Sequence, residues 1–179
     1  MSLNTLADSV SGVEPVMAYT QLGRIFRERE GLPEPDVRTG TGEAIPYDDA
    51  RFDMLLCVSA HQYFDIRRAL DEMVRVLRPG GELIIIGGVL GKYIPEFVRQ
   101  ALGNPAAAKG GLITIANTLS YTLAGHRIIP ARGAGTTSRP VYPTVKAMCR
   151  MLEQTGLSVS ERGCVLSNER LFRATKPLA

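Results

Sequence analysis

Phe52-Asp53-Met54-Leu55-Leu56-Cys57-Val58, then Ile66 to Arg78, then Pro79-Gly80-Gly81 and Leu83-Ile84-Ile85-Ile86-Gly87, decide the fold of this chain. The first segment is almost continuously apolar after Asp53, the pattern of a strand covered on both faces, as in a parallel sheet. Ile66, Ala69, Leu70, Met73, Val74 and Leu77 then recur at helical spacing, and Arg67, Arg68, Glu72, Arg75 and Arg78 take most of the remaining positions. Pro79-Gly80-Gly81 ends the helix, because glycine past a helix C-terminus adopts the left-handed conformation at little cost. Leu83 to Ile86 reads as a second doubly covered strand. Strand, crossover helix and strand within a single stretch make a βαβ unit, whose crossover is right-handed.

Working outward toward the N-terminus, Ser9 to Val13 reads as a short strand ending at Glu14-Pro15. A helix over Val16 to Glu30 follows, with Val16, Tyr19, Leu22, Ile25 and Phe26 on one face and Gly31-Leu32-Pro33 as its stop. Asp36 to Thr39 is a weak strand, and Gly40 to Pro46 a glycine-containing connection. Toward the C-terminus, Thr144 is a plausible N-cap for a helix with Val145, Met148, Cys149 and Leu152 on one stripe and Gly156 as its stop. Leu157 to Val165 and Arg170 to Lys176 read as two closing strands, an antiparallel pair. The segment from Gly87 to Pro143 differs from the rest. It holds helix patterns over Pro95 to Leu102 and Leu112 to Leu123. Its cations Lys92, Arg99, Lys109, Arg127, Arg132 and Arg139 stand against Glu96 alone, a net charge of +5. It is too long for a plain strand-to-helix connection, and long connections are commonly functional.

The 179 residues suffice for one domain with a full core. A net charge of +3 gives no bulk electrostatic argument for nucleic acid. No apolar run reaches membrane-spanning length, so neither a nucleic-acid nor a membrane partner is expected. Two histidines, and no CxxC or HExxH spacing, argue against a metal site. Cys57, Cys149 and Cys164 are odd in number and scattered. They read as reduced thiols of a cytoplasmic protein.

Gly42-Glu43-Ala44-Ile45-Pro46, Arg51-Phe52-Asp53, Ala69-Leu70-Asp71-Glu72 and Arg75-Val76-Leu77-Arg78-Pro79-Gly80-Gly81, in that order, resemble the class I S-adenosylmethionine-dependent methyltransferases, type 11 in particular. The resemblance implies an α/β fold with a Rossmann-like, mostly parallel sheet and an antiparallel final strand. It implies a single domain over residues 1–179, with residues 88–143 as an inserted cap over a small-molecule substrate. S-adenosylmethionine is the implied cofactor. Glu14 and Pro15 match the acidic end of the family's second strand, which bonds the cofactor ribose. Thr41, Gly42 and Glu43 match the turn beside the adenine, although the family commonly has an aspartate where Thr41 stands. Ser59 and Ala60 match the positions just past the fourth strand. His61, next in line, is placed for a general base, with a packing or positioning role as the alternative. The cap location and its charge imply an anionic acceptor, with Arg127, Arg132, Arg139 and Tyr121 as substrate-binding residues. The family's first strand and its Gly-x-Gly-x-Gly loop have no counterpart before Ser9, where no glycine occurs. That gap favours a homodimer. The alternatives are closure of the sheet on itself or a longer natural chain. The missing loop also keeps a second function in view, a non-catalytic binding or oligomerisation module.

Overall fold

A computed structural model describes residues 7–101, 105–128, 140–166 and 169–178. In chain order the elements are β1 (Ser11–Glu14), α1 (Met17–Glu30), β2 (Asp36–Thr39), β3 (Phe52–Val58), α2 (Ile66–Val76), β4 (Leu77–Gly88), α3 (Leu90–Ala101), α4 (Pro105–Ala124), α5 (Val145–Gln154), β5 (Ser158–Leu166) and β6 (Glu169–Thr175). The chain has the α/β class expected of it, with parallel and antiparallel pairing together. Its strands form two hydrogen-bonded groups among the described residues. β1 pairs with β2 in parallel, and the other four run in the order β3-β4-β6-β5. β3 lies parallel to β4, whereas β6 is antiparallel to both of its neighbours.

The βαβ unit forms as its pattern requires, with one shift. Asp65 caps α2 by accepting from the Arg68 amide at 3.4 Å, and Ile66, Ala69, Leu70, Met73 and Val76 are buried. The helix ends two residues before the expected Arg78, because Leu77 already pairs with Phe52 in the sheet. The ladder resumes only at Met54 opposite Glu82, so Arg78 to Gly81 bulge outward, with Gly80 at φ 77° taking the bend. The core lies between α2, α5 and one face of the larger sheet, where Leu70, Met73, Leu83, Ile85, Met148, Leu152 and Phe172 are buried together.

Two expectations about burial fail. The apolar run predicts a β3 covered on both faces, yet Met54, Leu56 and Val58 are 55%, 44% and 51% exposed. β3 is an edge strand in the observed order, bonded on one side by β4, and its outward side chains are only half covered. The apolar stripe of α1 is likewise uncovered. Tyr19, Leu22, Ile25 and Phe26 are all exposed, and α1 has no buried residue. Both segments form from local pattern, but the surface that would cover them is not among the described residues. α3 begins before its expected start and ends at Ala101, so Pro95 lies inside it, and α4 exceeds its expected range at both ends.

The C-terminal expectations hold to within a residue or so. Thr144 Oγ1 accepts from the Ala147 amide at 3.2 Å, and Gly156 follows α5 at φ 84°. Cys57 and Cys149 are buried free thiols. Burial pushes the Cys57 thiol up to about 11, so it stays protonated and unreactive. The side chain of Cys164 lies outside the described set.

Candidate functional site

A cavity of about 470 Å³ opens between β1 and β3. Ser11, Gly12 and Val13 form one wall, and Met54 through Val58 the other. Each of these strands pairs on one side only, so their free edges border the same space. At the carboxyl ends of the strands the lining continues through Pro15, Gly40, Thr41, Gly42, Ala60 and Phe64. Ligands of open α/β sheets collect at this end.

The floor is held by a charged clamp. Arg75 binds Glu72 through two bonds of 2.8 Å each and Asp49 at 2.6 Å, and it donates to the carbonyls of Ile45 and Tyr47, each at 2.9 Å. Glu72 in turn accepts from the Ile45 amide at 2.9 Å. The Arg75 hydrogen bonds hold the Glu72 carboxyl below its ordinary range. Ile45 and Tyr47 line the cavity, so this network sets its shape. Tyr47 also donates to the Asp36 and Gly12 carbonyls, at 2.5 and 3.1 Å, tying the smaller sheet to the rest. The Glu72–Arg75 spacing on one helix face was a legible signal for part of this network; Asp49 and the Tyr47 carbonyl gave none.

The sequence-derived residues divide by position. Pro15, Thr41, Gly42 and Ala60 line the cavity, and Glu14 stands between two lining residues, Val13 and Pro15. The Glu14 carboxylate accepts from the Val16 amide at 2.9 Å, just before the start of α1, through one of its two oxygens. Gly42 is constrained: a Cβ there would lie 2.8 to 3.0 Å from the Phe64 ring. Glu43 is turned elsewhere, accepting from the Asp65 amide at 2.8 Å beside the cap of α2. Ser59 has φ 50°, uncommon for a residue with a side chain, and its hydroxyl donates to Glu169 at 2.8 Å. Glu43 and Ser59 do not line the cavity.

Neither does His61. Its ring is 2% exposed and lies against Gly87, where a Cβ would come within 2.2 Å of Cε1 and 2.7 Å of Nδ1. Burial, partly opposed by the Gly88 backbone and the Glu169 carboxylate, pushes the imidazole down to about 4. It is therefore neutral at pH 7. Both ring nitrogens are buried, and among the described residues neither has a partner at good hydrogen-bond geometry, the Gly88 backbone being a weak neighbour only.

Of the substrate-binding set, Tyr121 is fully buried. Its hydroxyl accepts from the Ile66 amide at 2.9 Å and donates to Asp65 at 2.8 Å. Burial and the Asp65 carboxylate raise its pKa. Arg127 donates to the Gln62 and Phe64 carbonyls, at 3.1 and 2.8 Å, and desolvation lowers its pKa. Both side chains brace the loop from Ser59 to Asp65 at the rim of the cavity. Arg132 and Arg139 lie outside the described residues. Tyr142, which stacks on Tyr93 at 4.5 Å between ring centroids, closes over Gly88 near the same end of the sheet.

The nucleoside part of S-adenosylmethionine fits the carboxyl end of this cavity. A carboxylate stands at the tip of β1, a Gly40–Gly42 turn exposes backbone, and Ala60 and Phe64 offer apolar walls. Among the described residues, no charged side chain lines the rest.

Residues 2–85 match the family model described as a methyltransferase domain. The uncharacterized methyltransferase YcgJ of Bacillus subtilis is 29% identical over 86 residues, 48% of this chain and 32% of its own length. The solved YcgJ structure superposes with a TM-score of 0.62 at 13% identity, over 96% of this chain and 83% of that one. The phthiotriol/phenolphthiotriol dimycocerosates methyltransferase of Mycobacterium tuberculosis is 48% identical over 59 residues, 32% of this chain and 22% of its own length. A SAM-dependent methyltransferase from Methanosarcina mazei superposes with a TM-score of 0.63 at 14% identity, covering 96% of this chain and 83% of that one. The matches to these curated relatives span a third of their length or less. The structural likenesses show the fold.

Proposed function

We propose that this chain, whose residues 2–85 match the methyltransferase domain model and whose fold is like that of solved S-adenosylmethionine-dependent methyltransferases, transfers a methyl group from S-adenosylmethionine to a small-molecule acceptor. The observation that carries this reading is the cavity at the strand ends, where Pro15, Thr41, Gly42 and Ala60 come together beside Glu14. When bound, the cofactor supplies an electrophilic methyl on its sulfonium. Glu14 is assigned to the ribose hydroxyls, and the Thr41-Gly42 backbone to the adenine edge. Phe64 and Ala60 exclude water from the nucleoside. Alignment and desolvation of the acceptor are then the main tasks left to the protein. His61 is assigned a positioning role through the loop after β3, because its neutral ring does not reach the cavity. The net charge of +5 between Gly87 and Pro143 supports an anionic acceptor. The free thiols Cys57 and Cys149 suit a cytoplasmic setting.

Calorimetric titration with S-adenosylmethionine and with its demethylated product tests the reading. Both should bind, and Glu14→Ala should weaken each about tenfold, the loss of a charge-assisted bond. Absence of heat at millimolar ligand, with the chain folded by circular dichroism, would instead support a non-catalytic binding module. The uncharged lining of the cavity between β1 and β3 favours that second reading.

The same proposal includes a homodimer. Its support is the bare edge of β3 together with the exposed Met54, Leu56 and Val58. Light scattering should return twice the chain mass, and Leu56→Lys should return the monomer. A wild-type monomer at every concentration tested would remove the dimer.

A further inference from the structure

Ser59 follows β3 in a strained conformation, and the group that holds it there stands two strands away. Its φ of 50° lies in the left-handed region that favours glycine. Its amide donates to the Ile86 carbonyl at 2.7 Å, and its hydroxyl to Glu169 at 2.8 Å. Glu169 opens β6 opposite Gly88 of β4, so the hydroxyl reaches its carboxylate across the end of β4. The last two residues of β4, Gly87 and Gly88, make room for this approach. The His61 ring lies where a Cβ on Gly87 would go, and the Tyr142 ring comes within 3.1 Å of one on Gly88. The imidazole fills space there without a bond of good geometry. The Ser59–Glu169 bond supplies the direction that this packing lacks, and being charge-assisted it is stronger than a neutral one.

We propose that Glu169 is a positioning residue, which through Ser59 holds the loop from Ala60 to Asp65 as a wall of the cavity between β1 and β3. Two side chains of the loop carry the consequence. Ala60 and Phe64 line the cavity, and the Phe64 ring presses on the Gly40–Gly42 turn, 2.8 Å from a Cβ built on Gly42. The far part of the loop is fixed independently. Arg127 donates to the Gln62 and Phe64 carbonyls, the Val141 amide donates to the Gln62 carbonyl at 2.8 Å, and Glu43 accepts from the Asp65 amide. Ser59 is the root of the loop, where it leaves the sheet. Without the carboxylate, Ser59 gains by relaxing to negative φ, which redirects the chain at that point and draws Ala60 and Phe64 away from the nucleoside end. The inference rests on reading this cavity as the cofactor site, and it extends that site to a carboxylate that does not line it. It also gives Ser59 a part in binding that its absence from the lining would deny it.

Amide hydrogen exchange of the unliganded full chain, together with calorimetric titration with S-adenosylmethionine, tests the proposal on Glu169→Ala, Glu169→Gln, Ser59→Ala and the double alanine variant. Glu169→Ala and Ser59→Ala should each speed exchange in the loop from Ala60 to Asp65 about tenfold, while α2 and α5 keep the wild-type rate. Each should also weaken the cofactor about tenfold, through the loss of a charge-assisted bond. The double variant should be no worse than either single one, because both changes remove the same bond. Glu169→Gln still offers an oxygen to the hydroxyl and should recover most of both effects. A residue needed only for stability would instead raise exchange in every element. Loop exchange that stays at the wild-type rate in Glu169→Ala, or rises equally in α2 and α5, overturns the proposal. So does a Glu169→Ala variant that binds the cofactor as tightly as the wild type. Wild-type protein with no affinity for the cofactor overturns the cofactor reading alone, and loop exchange then decides whether Glu169 holds the wall.

Discussion

Gly87→Ala should lower stability by about 2–3 kcal/mol, at the upper end of overpacking costs. The added Cβ would overlap the His61 imidazole, 2.2 Å from Cε1. The ring has no room to yield, being 2% exposed between β4 and the loop after β3. Urea unfolding of four proteins measures the effect: wild type, Gly87→Ala, His61→Ala and the double variant. With the imidazole gone, the alanine has space, so Gly87→Ala on the His61→Ala background should cost less than about 1 kcal/mol. Simple additivity of the two single changes would show that His61 and Gly87 do not meet as described.

The second large effect is a pH dependence. The ordinary histidine value is 6.5, and burial brings His61 down to about 4. Between those values the unfolded chain binds a proton that the folded chain does not, so stability rises with pH across the window. The contribution is fully present above pH 6.5 and is lost progressively as pH falls toward 4. At about 1.4 kcal/mol per unit, the total reaches roughly 3 kcal/mol. The charged group facing the ring is Glu169, held by Ser59, and its attraction for the imidazolium already opposes the shift. Chemical denaturation from pH 4 to 7 should show the slope in the wild type, and His61→Gln should flatten it. An unchanged slope in the variant would assign the titration elsewhere. The Glu72–Arg75 pair acts at lower pH. Its carboxyl is depressed, so its contribution is complete above the ordinary carboxylate value and declines only as pH falls through the folded one.

The hydrophobic periodicity of the chain was a good guide to which elements exist, and a poor guide to what covers them. Ile66 through Val76 could be read as a helix because one apolar stripe and one cap specify it locally. Tyr19, Leu22, Ile25 and Phe26 carry a stripe of the same kind, yet they face outward, because periodicity states which residues share a face and says nothing of the surface opposite. The run from Phe52 to Val58 misled for a related reason. A continuous apolar strand suggests cover on both sides, and β3 has an open edge and one half-exposed face. Leu77 and Arg78 left the helix because of Phe52, a partner distant in sequence. Pro15, Thr41, Gly42 and Ala60, singled out in the sequence, come together on one cavity, because the local backbone places them there. The site was opaque where long-range contacts decide it: Ser59 finds Glu169, and Tyr121 finds Asp65, each across more than fifty residues.

The separation of β1, α1 and β2 from the four-stranded sheet has a thermodynamic consequence. These three elements bury no complete side chain on α1, and they are tied to the rest chiefly through the Tyr47 hydroxyl and through Arg38, which donates to the Pro46 carbonyl at 2.8 Å. β4, by contrast, is laddered on both sides and packed against α2. The first group is therefore expected to be the less stable of the two. The first can open while the second stays closed, at a free-energy cost well below that of global unfolding, and such low-cost openings set where amide protons exchange first and where a protease first finds extended chain. A ligand bound between β1 and β3 would join the two units, so its affinity would be registered as cooperativity as well as stability.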